Sequence, residues 1–100
     1  MTNQLTFNQV TESHFKTLSQ YVPVVARVHG ANHPEFHEVR TLVETIIKET
    51  KKTGEEKPKL NEEFAKLREI TTNYTIPGDV CESYEAVYNL LAEVDQAYQA

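Results

Sequence analysis

Apolar residues recur along this chain three and four positions apart, the spacing that gathers them on one face of an α-helix. In the first segment they stand at Phe7, Val10, Leu18, Tyr21, Val25 and Val28, with His14 between Val10 and Leu18. The second stripe is Phe36, Val39, Val43, Ile46 and Ile47, with Leu42 alongside. The third is Leu60, Phe64, Leu67, Ile70 or Thr71, and Tyr74; the fourth is Val80, Tyr84, Val87, Leu91, Val94 and Tyr98, flanked by Cys81, Tyr88 and Leu90. No stretch alternates with period two over a useful length, so strands are not expected. The pattern predicts an all-α chain with helices over about 7–29, 33–52, 58–74 and 80–98, joined closely enough for an antiparallel up-down four-helix bundle in a single domain spanning 1–100.

Punctuation between the stripes agrees with those bounds. Thr6 and Gln9 form a capping box, with Leu5 and Val10 at the hydrophobic-staple positions. Pro23 falls inside the first helix, where its missing N–H and its ring predict a kink one turn upstream, near Ser19. Gly30 is the expected stop. Pro34 and Glu35 suit the opening turn of the second helix, and Lys48, Lys51 and Lys52 suit its C-terminal end, with Gly54 closing it. Lys51 to Lys59 contains no apolar residue and is expected to be the most mobile stretch. Pro77 and Gly78 make a turn, and Asp79 with Glu82 reads as a second capping box.

Composition narrows the function classes. One hundred residues with 39% hydrophobic content make one modest core. The net charge of −5 repels a phosphate backbone and argues against nucleic-acid binding. The longest apolar stretch, from Tyr21 to Ala26, is far short of the roughly 20 residues that span a bilayer, and Met1-Thr2-Asn3-Gln4 carries no signal-peptide pattern. The expectation is therefore a cytoplasmic protein, monomer or homodimer, that touches neither membrane nor nucleic acid. From Asp79 onward there are five acids (Asp79, Glu82, Glu85, Glu93, Asp95) and no base. That acidic helix, or the Lys/Glu-rich linker, is the expected surface for a protein partner of unknown identity.

Candidate chemistry is sparse. His14, His29, His33 and His37 all fall in the first two helices. His33 and His37 are four apart, on one face if both are helical, and His29 lies just across the turn. Those three histidines are the candidate metal ligands, for zinc or another divalent ion, with Glu35 or Glu38 adding an oxygen. The plainer reading packs His29 at the end of the bundle and makes His14 a satisfied core histidine. Cys81, the only cysteine, rules out an internal disulfide and a paired-cysteine metal motif. It stands where a helix dipole favours a thiolate, yet a small buried apolar role is expected. No serine has a catalytic context and no glycine-rich phosphate loop occurs, so no catalytic residue is expected. Tyr21, Tyr84, Tyr88 and Tyr98 are expected at the core's edges with hydroxyls in water.

Two stretches carry a resemblance. Val25-Ala26-Arg27-Val28-His29-Gly30-Ala31-Asn32-His33-Pro34-Glu35-Phe36 is similar to the junction between the first two bundle helices of the hemerythrin-like iron–sulfur cluster repair di-iron proteins. The stretch from Leu67-Arg68-Glu69-Ile70 through Tyr74 and Pro77 to Cys81 resembles that family's junction between helices three and four. The resemblance implies a four-helix bundle, a non-haem di-iron centre held by His and carboxylate side chains from every helix, and a part in restoring iron–sulfur clusters damaged by oxidative or nitrosative stress. His29 matches a family ligand. The other ligand positions fall near Asn8, in the His-free stretch Glu49 to Glu56, on Lys57, and beyond Asp95. The reading is a relative that keeps the scaffold, lacks the di-iron centre and acts without catalysis through protein contact. The alternative is a stress-response protein that binds iron through His29 and neighbouring His and Glu.

Overall fold

The structure, a computed structural model, describes residues 6–53 and 58–100. It contains four α-helices, α1 (Phe7–His29), α2 (Glu35–Thr53), α3 (Asn61–Ile70) and α4 (Glu82–Gln99), and no strand among the described residues. No described helix is long and apolar enough to cross a membrane.

The start of α1 follows its sequence signal. Thr6 accepts from the Gln9 N–H at 3.2 Å, and the Gln9 side chain accepts from the Thr6 N–H at 2.9 Å. Leu5, the other half of the expected staple, lies outside the described residues. The helix is continuous through Pro23 and ends at Gly30. Gly30 is right-handed (φ −59°, ψ −28°), so the demand for glycine there is one of space. A Cβ would run into the Ala26 carbonyl oxygen and the His37 imidazole, which lies against the bare backbone.

The second helix begins at Glu35 rather than at residue 33, because the Pro34 ring confines the residue before it to extended or turn conformations. Its charges follow the dipole, with Glu35 and Glu38 in the first turn and Lys51 and Lys52 in the last. The expected mobile linker falls, over 54–57, outside the described residues, as does the Gly54 stop. On its near side Lys51 and Lys52 belong to α2, and on its far side Pro58 is buried.

The third helix is shorter than its stripe. At its start the Tyr98 hydroxyl donates to the Pro58 carbonyl (2.7 Å) and accepts from the Leu60 N–H (2.6 Å), tying the segment before α3 to the end of α4. At its end Thr72, Asn73 and Tyr74 all adopt positive φ (52°, 56° and 62°). Three consecutive non-glycine residues in the left-handed region oppose the usual steric preference of L-residues. Backbone and side-chain bonds hold them there. The Asn73 N–H donates to the Arg68 carbonyl, and Thr71 Oγ1 accepts from the Tyr74 N–H while donating to the Leu67 carbonyl.

All four helices contribute to one apolar core, in which Leu18, Phe36, Val39, Phe64, Leu67 and Tyr84 are fully buried. α1 packs against α2 and α4, and α2 against α3. Phe7 at the start of α1 meets Tyr98 near the end of α4, ring centroids 5.3 Å apart. At the opposite ends, His29 closes α1 beside Cys81, the residue that precedes α4. The Asp79–Glu82 capping box does not form. Cys81 occupies the cap position without a side-chain bond, and the Asp79 carboxylate is turned to His33.

Candidate functional site

A cluster of titratable groups lies where α1 ends, α2 begins and the segment before α4 returns. His33 sits in the α1–α2 turn with a carboxylate at each ring nitrogen. Nδ1 faces Glu35 at 3.1 Å, and Nε2 faces the two Asp79 oxygens at 3.0 and 3.2 Å. Partial burial alone lowers the pKa of this imidazole. The hydrogen bonds to Glu35 and Asp79, with the charges of both, outweigh burial and raise it above its ordinary 6.5. The contact ties the α1–α2 turn to the α3–α4 connection.

A stability consequence follows, with a definite sign. A base whose folded pKa is raised binds its proton more tightly in the fold, so its contribution is complete below the unfolded value and is lost as pH climbs through the folded one. The denaturation-midpoint difference between the native chain and His33→Gln is thus expected to be largest below pH 6.5 and to shrink above it. A difference that grows with pH contradicts the assignment.

His29 makes the second contact of the cluster. The Cys81 sulfur is hydrogen-bonded to its Nε2 across 3.1 Å. Beneath both histidines lies Tyr84, whose ring meets His29 at 5.4 Å and 89° and His33 at 5.5 Å and 64°. The Tyr84 and Tyr88 hydroxyls lie 3.0 Å apart inside the core, where burial raises both phenol pKa values. Replacing Tyr84 by Phe leaves the Tyr88 hydroxyl without its protein partner, a loss of about 1–2 kcal/mol. Tyr84→Phe with Tyr88→Phe is expected to recover most of that loss in chemical denaturation, because no polar group then remains unpaired.

Of the three histidines singled out as candidate ligands, His29 contacts Cys81, His33 contacts Glu35 and Asp79, and the His37 imidazole lies beside the Gly30 backbone. Glu38 is exposed. Among the described residues no group of three or more His, Cys, Asp or Glu side chains is placed to hold a metal ion.

The structure departs from the sequence expectations at Cys81 and at three of the tyrosines. Cys81 is exposed rather than buried, since it precedes the apolar face of α4 and not its core-facing turn. Tyr84, Tyr88 and Tyr98 are buried with their hydroxyls bonded internally, and of the four expected edge tyrosines only Tyr21 reaches the surface. Three of the five acids counted from Asp79 onward have partners, Asp79 and Glu93 while remaining exposed. Asp79 faces His33, Glu93 bonds His14 at 2.8 Å, and Asp95 is buried against Arg68 at 2.7 and 2.8 Å. Asp95 also accepts from the Tyr74 hydroxyl (2.7 Å) and from Gln99 (3.1 Å). Burial, and after it the bond to the Asp95 carboxylate, push the Tyr74 phenol well above its ordinary pKa. Sequence reasoning missed this network, although its signal was present: Asp95 shares the helical face of Leu91, Val94 and Tyr98.

No family model matches the chain, and no solved structure matches it. A curated protein does. The iron–sulfur cluster repair protein ScdA of Staphylococcus haemolyticus (strain JCSC1435) is 24% identical over 131 residues, a match covering 93% of this chain. Because that span exceeds the 100 residues here, the relative carries residues with no counterpart in this chain. The chain spans about half, 56%, of that protein's length, and it is to this cluster repair protein that its sequence is similar.

Proposed function

We propose that the chain is a hemerythrin-like, antiparallel up-down four-helix bundle that serves iron–sulfur cluster repair through protein contact and without a di-iron centre. The end-to-end contacts of α1 with α4 support the antiparallel arrangement, and the similarity to ScdA supports the setting. The observation that carries the absence of iron is the Tyr84–Tyr88 pair. Two irons require several imidazoles and bridging carboxylates converging on the middle of a bundle. Here the interior beside His29 is filled by Phe36, Tyr84 and Tyr88, whose hydroxyls satisfy each other. Among the described residues, no buried side-chain polar atom is left wanting a partner. This set of donors does not fit a dinuclear centre.

The surface for contact is the N-terminal half of α4. Glu82 and Glu85 are exposed and form no ion pair among the described residues, unlike the other acids of that segment. A basic partner in the cytoplasm suits them. The test is elemental analysis of protein purified without a histidine tag after growth with added iron. The expected result is iron close to zero. One or two equivalents, lost on His29→Ala, would overturn the proposal and restore the iron-binding alternative.

A further inference from the structure

We infer that Cys81 and His29 form a reactive thiol–imidazole pair that takes up low-molecular-weight disulfides as a mixed disulfide. This inference goes beyond the proposed function and does not depend on it. Three features of the same place carry it. The Cys81 sulfur lies 3.1 Å from His29 Nε2, within reach of direct proton transfer. The side chain is exposed, so a small disulfide reaches the sulfur without any opening of the fold. Cys81 also caps α4 from the N-terminal side with no side-chain bond to the helix, so the free amides of the first turn favour negative charge developing on the sulfur.

The base is itself held in place. His29 is the last residue of α1, and its ring stands edge-on to Tyr84, which is fully buried. The imidazole is thereby anchored on the core on one side while its Nε2 faces the thiol on the other. The neighbouring His33 is occupied by Glu35 and Asp79, which leaves His29 as the imidazole bonded to the sulfur.

The exchange balances without a further reagent. As the sulfur attacks one atom of the incoming disulfide, its proton passes to His29 Nε2. A new bond forms between Cys81 Sγ and the attacked sulfur, and the disulfide's own S–S bond breaks. The departing thiolate collects the proton from His29 and leaves as a thiol. Cys81 is oxidised and the departing sulfur is reduced, electron for electron. A thiol of the same class reverses the reaction.

The chain has one cysteine, so every equivalent of thiol reactivity reports this site. The experiment follows, near neutral pH, the second-order rate of the intact protein with an aromatic disulfide that releases a coloured thiolate. His29→Gln is expected to react at least about tenfold more slowly than the native chain. Equal rates for the two proteins overturn the inference. So does a native rate no faster than that of a small free cysteine thiol measured alongside, a readout that stands even if His29→Gln does not fold. Mass analysis after incubation with oxidised glutathione should show one adduct per chain, removed by reductant; no adduct at neutral pH also overturns it.

Discussion

Phe36→Ala is expected to destabilise the fold by about 3–5 kcal/mol, the cost of emptying a fully buried aromatic site. Phe36 is packed on two tyrosines, tilted against Tyr84 at 5.0 Å and stacked on Tyr88 at 6.4 Å. Removing it leaves a void in a core that aromatic rings fill and that backbone relaxation closes only in part. In a domain of this size the melting temperature falls by about 4–8 °C for each kcal/mol, so thermal melting should show a drop of at least about 12 °C. The loss reaches the functional cluster as well, because Tyr84 supports both His29 and His33. A melting point within a few degrees of the native chain would mean that the aromatic cluster is not the keystone of the core.

Arg68→Ala has the second-largest expected effect. Asp95 is only 4% exposed, and Arg68 is its one cationic partner among the described residues. Removing one member of a buried pair leaves a charge with no counter-ion, a loss of about 3–5 kcal/mol where both partners are sealed from water. Arg68 itself is 37% exposed, which admits water to the vacated space and places the expected loss near about 3 kcal/mol. Adding Asp95→Asn to Arg68→Ala should recover part of the loss in chemical denaturation, since the uncompensated charge is then gone. If the double variant is no better than the single one, the loss comes from packing of the Arg68 stem rather than from electrostatics.

The local signals in the sequence read well wherever the outcome depended on neighbours along the chain. The Thr6–Gln9 box opened α1 as its spacing demanded, and the apolar stripes placed Leu18, Phe36, Val43, Leu67 and Leu91 in the core. Three of the failures share a cause: a partner far away in the chain outcompeted a local one. Asp79 had a capping site within three residues and gave it up for His33, 46 residues away. Tyr98, expected to reach water, spans 40 residues to the Pro58 carbonyl. Tyr74 is set by Asp95 across 21 residues, and the chain between Thr71 and Tyr74 adopts left-handed geometry that no propensity favours.

The candidate site was half legible. The sequence pointed to His29, His33 and His37 as the residues of interest, and the structure puts all three at the end of α1 and start of α2. It did not show that Cys81 and Asp79 would come back to meet the first two, because that meeting depends on how α4 returns. Of the five acids from Asp79 onward only Asp95 is buried; Asp79 and Glu93 are exposed beside His33 and His14, and Glu82 and Glu85 are exposed without an ion pair among the described residues.

The inward phenols set an alkaline ceiling on the molecule. Tyr74, Tyr84 and Tyr88 all hold their protons in the fold beyond the ordinary 10.0 of a free phenol. Once the chain opens in strong base, each gives its proton up. Above that pH the open form therefore binds fewer protons than the closed one, and base pulls the equilibrium toward opening with a slope of up to three protons per chain.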